Sequence, residues 1–472
     1  MNIVWFRNDL RSRDNPALYA AAQQGPCLGV FFVCMQQWQA HGHGANKIVY
    51  LRESLQSLQK NLARLNIPLL VIEAGTFAQV AGHLLTLCQA HHASQVFYNQ
   101  EYELNEQRRD QQVNQLLHQQ GIHCHSFHDQ CLIAPGQCLT QQGHYYSVFT
   151  PFKRAWLQKI GTQYHPPLSA PKTQANINLT LPAWPDNFMQ LKATADLSNT
   201  PCGERSAHQQ LEHFIQTDLH NYQAQRDFPA LNATSHLSSA LACGVLSLRQ
   251  CLHGALLENN GEFVSGRSGP DTWISELIWR EFYKHIIFGF SHINRGQAFK
   301  TETDKLPWLH NPAHQQAWQT GNTGYPIVDA AMRQLLHTGW MHNRLRMVSA
   351  MFFSKNLMLD WRLGEHFFMQ HLTDGDFAAN NGGWQWSAST GVDAAPYFRM
   401  FNPTAQSEKF DPDGDFIRTW VPELRELSKK QIHNPSPELR ERYGYSQPIV
   451  DYAQSRARVL GAFKTLYGEQ HG

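Results

Sequence analysis

The feature that most restricts the fold is a change of period partway along the chain. Up to about residue 128, short apolar or β-branched runs alternate with longer amphipathic stretches, and beyond about residue 200 no alternating run recurs. The runs are Ile3–Phe6, Leu28–Val33, Leu69–Ile72, Gln95–Tyr98 and a weaker one near Ile122–Phe127. Helical patterns fill the gaps at 15–24, 46–65, 77–91 and 104–120. Strand and helix in alternation imply a parallel sheet with crossover helices, an α/β domain over 1–128. The first run leads into Arg7-Asn-Asp-Leu-Arg11 and not into G-x-G-x-x-G, so a Rossmann-like topology is expected without the dinucleotide motif. From 129 to 200, Pro135, Pro151, Pro166, Pro167, Pro171, Pro182 and Pro185 interrupt any long element, which reads as a connector laid over the surface with one short helix near 150–156. Residues 201–472 read as all-α, with helices at 204–219, 238–242, 247–258, 271–288, 325–337, 340–358 and 363–371. A chain of 472 residues needs two or three such units, because a single core stops growing well short of that length.

A net charge of +1 carries no global nucleic-acid signature, so any phosphate contact must come from a local basic patch. No apolar run approaches the roughly 20 residues of a membrane span. The start runs straight into strand-like sequence, with no signal peptide expected. The nine cysteines are odd in number, none lies beyond Cys251, and none forms C-x-x-C. Free thiols in a reducing cytoplasm are the expectation, with neither zinc nor disulfides. Nine of the thirteen tryptophans lie from Trp273 onward, a bias that hydrophobicity alone does not require.

The densest chemistry is Asp374-Gly-Asp-Phe-Ala-Ala-Asn-Asn-Gly-Gly-Trp384-Gln-Trp386. Asn380-Asn381-Gly382-Gly383 reads as tight turns in which glycine takes positive φ and lets backbone approach a flat ligand. Asp374 and Asp376, either side of Gly375, offer acceptors to a ribose hydroxyl or a protonated ring nitrogen. In extended or irregular chain Trp384 and Trp386 point to opposite sides, one inward and one to a cavity. A turn with two half-buried aromatics is the plainer alternative.

Thr234-Ser235-His236-Leu237-Ser238 puts three hydroxyls at a helix start, where free amides suit a diphosphate; a Ser N-cap accounts for the same residues. Glu276, Trp279, Arg280 and Tyr283 recur at i, i+3, i+4 and i+7, one helical face. A core face would carry Leu or Ile and a solvated face would not carry Trp279. A large polar-aromatic cavity explains the mixture, with an interhelical salt bridge as the competing account. In Trp340-Met-His342-Asn343-Arg344-Leu-Arg346-Met347, Asn343 and Met347 lie one turn apart and can line a planar ring, while His342 reads as a core histidine. Indole is easily oxidised, so Trp308, Trp361 and Trp384 could pass electrons as a file; packing is the default for each alone.

Together, Val4-Trp5-Phe6-Arg7-x-Asp9-Leu10-Arg11, Trp279-Arg280-Glu281-Phe282, Thr323-Gly-Tyr-Pro-Ile-Val-Asp329-Ala-Ala-Met-Arg333, Trp340-Met-His-Asn-Arg344 and the 374–386 run resemble the DNA photolyase/cryptochrome family. The likeness is specifically to bacterial class I cyclobutane pyrimidine dimer photolyases and covers almost the whole chain. It implies an α/β antenna domain (1–128), a connector (129–200) and an all-α domain (201–472) that holds a U-shaped, non-covalent FAD and binds DNA. On that resemblance Thr234, Ser235, His236, Leu237 and Ser238 hold the diphosphate, His236 standing where the family commonly has Arg. Tyr222, Trp273 and Arg280 lie nearby. Arg344, Asp374, Gly375 and Asp376 surround the isoalloxazine and ribose, and Asn380 faces flavin N5.

The activity implied is a light-driven carbon–carbon lyase. Excited reduced flavin lends one electron to a cyclobutane dimer extruded from UV-damaged DNA, the ring splits, and the electron returns. Trp279 and Trp386 would flank the dimer, Glu276 and Asn343 would hydrogen-bond it, and Met347 would touch its edge. Arg226, Arg344, Arg399, Lys153 and Lys409 are the implied phosphate contacts. Trp384, Trp361 and Trp308 would carry electrons for photoactivation. Asn99-x-x-x-Glu103-x-Asn105-Glu106-x-x-x-Asp110 resembles a folate-binding pattern. Asn105 and Glu106 would bond the pterin of a 5,10-methenyltetrahydrofolate antenna, with His41 close and Arg295 on the glutamate tail; a polar helix start and a deazaflavin antenna are the alternatives. A monomer is expected. A (6-4) photolyase would carry histidines where this chain has Asn343 and Met347. A cryptochrome photoreceptor often replaces the residues at Asn380 and Trp386. A flavoprotein for dark electron transfer gives no reason to set Trp279 and Trp386 beside Glu276.

Overall fold

The computed structural model describes residues 1–468. Five strands, β1 (Asn2–Phe6), β2 (Cys27–Val33), β3 (Leu69–Glu73), β4 (Gln95–Asn99) and β5 (His123–Phe127), pair in parallel in the order β3-β2-β1-β4-β5. β1 and β2 are buried along their whole length, as apolar runs covered on both faces must be. β5 is one of the two edge strands and its His-Cys-His-Ser-Phe sequence is only partly covered, which is why it reads weakly.

The chain order reverses between β1 and β4, the place where such sheets usually open a ligand crevice. Here that crevice is filled. The Arg7 and Arg109 guanidinia sit 4.4 and 4.8 Å from the Trp5 ring and bond Asp110 (2.7 Å) and Glu101 (2.8 Å). About 50 Å³ remains. Beyond Arg7 the segment becomes a clamp on the helical half. Arg11 bonds the Gly244 carbonyl (3.0 Å) and pairs with Asp129, and Asp14 accepts from Ser247 (2.5 Å) and Arg249 (2.6 Å). Gly244, at φ +64°, lies where a Cβ would come within 2.0 Å of the Asn8 carbonyl, so only glycine permits the approach.

The 129–200 stretch is less superficial than its prolines suggest. Its helix runs Phe149–Gln163, longer than expected, and buries Phe152 and Trp156. The Trp156 indole donates to Glu281 (2.7 Å), whose carboxylate also accepts from the amides of Leu132 (2.6 Å) and Ile133 (3.3 Å). Farther on, Gln174 bonds both the amide and the carbonyl of Cys27, and Phe188 is buried.

The remainder is helical. A second core gathers Trp318, Phe353, Trp361, Phe368 and Trp384. Two expectations change. The proposed 340–358 helix starts only at Asn343, ends at Met351 and passes into a π-helical turn, Phe352–Asn356. The 377–388 stretch is not a run of turns but the helix Phe377–Ala388, capped by Asp376, whose Oδ1 accepts from the Ala379 amide (3.0 Å). Gly382 is there for space, since a Cβ would meet the Tyr283 ring at 2.2 Å. The short helices Met35–Ala40, Pro312–Gln319, Pro403–Phe410, Asp415–Trp420 and Pro437–Tyr443 gave no periodicity long enough to be expected.

Candidate active site

Two helices, Ser268–Gly289 and Asn343–Met351, pack against a third, Phe377–Ala388. Ser268–Gly289 contributes Glu276, Trp279, Arg280 and Tyr283 from a single face. Glu276 and Trp279 are half-buried near its outer end, where Trp279 lies flat on Phe149 (3.7 Å between centroids, 8° between planes). Tyr283 backs the same indole at 5.7 Å. Glu276 accepts a 2.5 Å hydrogen bond from Arg226, so the salt-bridge account of that face holds in part. Deeper on the face, Arg280 donates to Asp376 and to the Leu241 carbonyl, both at 3.1 Å. One turn on, Lys284 is buried and bridges Glu103 (2.8 Å) and Asp376 (2.9 Å). Those two cations hold the Asp376 carboxyl far below its ordinary range against the opposing pull of burial.

Asn343–Met351 supplies the second wall. Asn343 is exposed at its start and Met347 half-buried one turn on. The structure moves one residue. Arg344 does not reach Asp374; it pairs instead with Asp227 (2.7 Å) and lies 4.4 Å from the Phe410 ring. Arg346 takes its place, donating to Asp374 (2.7 Å). Helical spacing explains the exchange. Residue 346 is three after Asn343 and shares its face, whereas 344 is rotated about 100° away.

The third wall is Phe377–Ala388. The Asn380 amide nitrogen donates to the Glu365 carbonyl (2.9 Å), which leaves its oxygen free. The Asn381 amide holds the Glu365 carboxyl (2.9 Å), which burial pushes up to about 7. Asn343, Arg346, Met347, Asp374, Asp376, Asn380 and Trp384 line a cavity of about 140 Å³ between the second and third walls, and Ser268–Gly289 adds no residue to its lining. Trp386 is half-buried and Trp384 fully buried, so the two still separate by depth, now because helical positions two apart point about 200° from one another.

Trp384 lies on Gly364, where a Cβ would be 2.1 Å from its ring. Trp361, one turn earlier on the same helix, is wholly buried. A parallel bridge between Leu309 and Leu359 sets the half-buried Trp308 beside the start of that helix. Trp318, which nothing in the sequence singles out, also packs edge-on to Trp384 at 5.9 Å.

The hydroxyl loop lines a separate cavity of about 540 Å³, with His236, Leu237 and Trp340 in its wall. Ser238 does not cap its five-residue helix; its Oγ accepts from the Trp340 indole (3.3 Å). His236, at φ +51°, packs tilted against Trp340 at 4.4 Å between centroids. Tyr222, Leu237 and Trp273 are buried behind it. The Thr234 hydroxyl and one Asp374 oxygen are buried without a hydrogen-bond partner. Orphaned polar atoms of this kind are rare in a finished interior, and a polar ligand carrying donors and acceptors resolves both.

Asn105 and Glu106 open into a second cleft of about 350 Å³ between the two halves of the chain. Asn105 bonds His41 (2.9 Å), and Glu106 lies 3.6 Å from the same ring. Burial, with Glu103 and Glu101 alongside, pushes the Glu106 carboxyl up. Arg295 is exposed on the turn beside Asn294, which lines this cleft. Of the implied phosphate contacts, Lys153 donates to Ser275 (3.2 Å), while Lys409 and Arg399 are exposed. Arg346, Lys284, Glu365 and Phe149 were missed as site residues. The first three were readable as turn-spaced partners of Asn343, Arg280 and Trp361; Phe149 is remote in sequence from everything it touches.

The description "FAD binding domain of DNA photolyase" matches residues 273–465, and "DNA photolyase" matches residues 2–172. Fold and site therefore define a two-part flavoprotein that binds FAD in its helical half. The chain is 45% identical over 469 residues to the deoxyribodipyrimidine photo-lyase of Salmonella typhimurium, covering 98% of each. To that of Escherichia coli it is 44% identical over 468 residues, again covering 98% of each. A bacterial class III photolyase from Agrobacterium tumefaciens superimposes with a TM-score of 0.88 at 34% identity, over 99% of this chain and 98% of that one. The chain belongs to the DNA photolyase family.

Proposed function

We propose that the site built on these three helices receives a cyclobutane pyrimidine dimer from UV-damaged DNA and repairs it in the light. Held there in its reduced form, FAD would supply the light-driven one-electron chemistry that splits the ring, with no net oxidation or reduction. The observation that carries this reading is the Ser268–Gly289 face. It runs from a half-buried acid–indole pair, Glu276 and Trp279, down to Arg280 at Asp376, so a base at the surface and a flavin below are served by one helix.

Trp279, held flat by Phe149, gives the extruded dimer a rigid apolar platform, and Trp386 closes the other side. Glu276 accepts from a pyrimidine N–H once Arg226 turns to phosphate, and Asn343 bonds a carbonyl while Met347 meets the edge. Asn380 offers its oxygen towards flavin N5, with its nitrogen tied to Glu365. Arg346 and Asp374 hold the ring's polar edge, Arg280 and Asp376 the ribose, and Thr234, Ser235 and Ser238 the diphosphate. Arg344, together with Arg399 and Lys409, faces DNA phosphate. Trp384, Trp361 and Trp308 lead from the cavity to the surface and reload the centre.

An antenna chromophore must use the interdomain cleft, because the crevice at the sheet is filled by Arg7 and Arg109. A pterin edge paired with Glu106 and Asn105 favours a folate over a deazaflavin. The reading takes the chain as a cytoplasmic monomer, in keeping with nine unbridged cysteines.

The test is an absorption spectrum followed by illumination of oligonucleotides carrying one cyclobutane dimer or one (6-4) product. Repair of the first alone, dependent on light and on reduced FAD, is expected. Absence of light-dependent repair with reduced FAD present refutes the enzyme reading, and repair of the (6-4) product alone refutes the substrate.

A further inference from the structure

The π-helical turn Phe352–Asn356 follows directly on the helix that carries Asn343, Arg346 and Met347, and is closed by the Leu357 amide on the Phe352 carbonyl (2.9 Å). Such turns hold an extra residue and are concentrated at functional sites. This one drives Lys355 inward, to 1% exposure. Its Nζ donates to the Arg399 carbonyl (3.0 Å), its one hydrogen bond among the described residues. Burial, with the Lys300 charge adding to it, pushes the ammonium down to about 7. An ammonium buried on a single neutral acceptor destabilises a fold, and an apolar side chain of similar length avoids the penalty. Folding alone therefore does not account for this lysine.

What it holds is the 389–402 loop, which leaves the helix of Trp386 and crosses the face where DNA would lie. The ends of that loop are tied by the Lys300 amide donating to the Thr390 carbonyl (2.9 Å) and by the Phe401 amide donating to Met351 Sδ (3.2 Å), and Ser389 Oγ closes its first turn on the Ala395 carbonyl (2.6 Å). Its tip carries Phe398, 59% exposed, and the exposed Arg399. On either side of Arg399 the loop is held by Tyr397 stacked on Phe463 (5.3 Å) and by the Tyr452 hydroxyl donating to the Met400 carbonyl (3.4 Å), and at Arg399 itself the tie to the body of the protein is Lys355.

We propose that Lys355 is a positioning residue for DNA binding, fixing the backbone at Arg399 so that the Arg399 guanidinium meets a phosphate. The inference rests on the reading of Arg399 as a phosphate contact.

The test measures binding of a dimer-containing oligonucleotide to the FAD-loaded protein, its salt dependence and its melting temperature. The variants are Lys355→Met, Arg399→Ala and the double substitution. Arg399→Ala weakens binding on the order of ten-fold and lowers the salt slope by about 1. Lys355→Met gives a comparable loss with an unchanged or higher melting temperature. The double variant binds no more weakly than Arg399→Ala alone, because the two act as one unit. Normal binding by Lys355→Met beside a weakened Arg399→Ala overturns the inference and leaves the DNA reading standing. Additive losses, or a lowered melting temperature with Lys355→Met, make the lysine merely structural and also overturn it. An unaffected Arg399→Ala removes that arginine as a contact, and the inference with it.

Discussion

Replacing Trp279 by alanine removes the platform on which an extruded dimer would rest. The indole is half-buried, 3.7 Å from Phe149 and nearly parallel to it, so it meets the lesion already oriented. Base–aromatic stacking is worth roughly 1–3 kcal/mol per base, which makes the expected loss in affinity for dimer-containing DNA roughly five- to 150-fold. Phe149→Ala leaves the indole but loosens it. An aromatic pair contributes about 0.5–1.5 kcal/mol, so a milder loss of roughly two- to ten-fold is expected there. Neither residue is charged, so the slope of affinity against salt should not change in either variant. Fluorescence anisotropy on matched damaged and undamaged duplexes, across a salt series, reads all three quantities. Equal loss on both duplexes would show that Trp279 serves the general DNA surface and not the lesion, and the reasoning from its geometry would fail.

Trp308→Phe should block reduction of oxidised FAD by light while leaving repair by chemically reduced enzyme intact; equal impairment in both assays excludes Trp308 from the path. The Glu106 carboxyl is pushed up by burial and by Glu103 and Glu101, so near neutral pH a pterin that donates N–H groups to the carboxylate must first displace a proton. Antenna affinity should therefore rise from mildly acidic to mildly alkaline pH, and Glu106→Gln should bind more weakly with a flat profile; a flat profile in the unaltered protein refutes the pairing. Gly382→Ala forces a Cβ against Tyr283, which would otherwise be 2.2 Å away. A cost of about 1–3 kcal/mol in thermal unfolding is expected, with weaker binding of damaged DNA because Tyr283 backs Trp279.

β1, β2 and β4 were legible because they are buried along nearly their whole length and such apolar runs admit few other readings; the bounds of β1 to β4 each differ by one residue. The 374–386 run shows where local reading fails. Asn and Gly are poor helix formers, and propensity alone turns Asn380-Asn381-Gly382-Gly383 into turns. Tertiary contacts decide otherwise: Asp376 caps the helix, both amides grip Glu365, and Gly382 yields its volume to Tyr283. Glu276, Trp279 and Arg280 were legible because a single helix presents them at its own spacing. Arg344 was assigned from its place in a motif, and the same spacing rule would have chosen Arg346. Phe149 could not be found from sequence, since its partner lies 130 residues on and no local pattern encodes a stack.

The two halves of the chain share their most demanding electrostatics. Lys284, from the helical half, is buried between Glu103 of the α/β half and Asp376, the cap of the Phe377–Ala388 helix. Lys47, also buried, reaches the other way and donates to the Gly375 carbonyl at 2.6 Å. Gly44 lies against the Gln370 backbone so closely that a Cβ would come within 1.7 Å of its carbonyl. Parting the halves would expose two lysines and leave Lys284 short of one of its two carboxylates, and a buried charge that loses its partner is strongly destabilising. The cleft that would hold an antenna and the loop that would hold the flavin are thus built on the same ion pairs. An α/β unit placed only to collect light would not need to supply Glu103 and Lys47 to the wall of the redox site, and its contacts make it part of that wall.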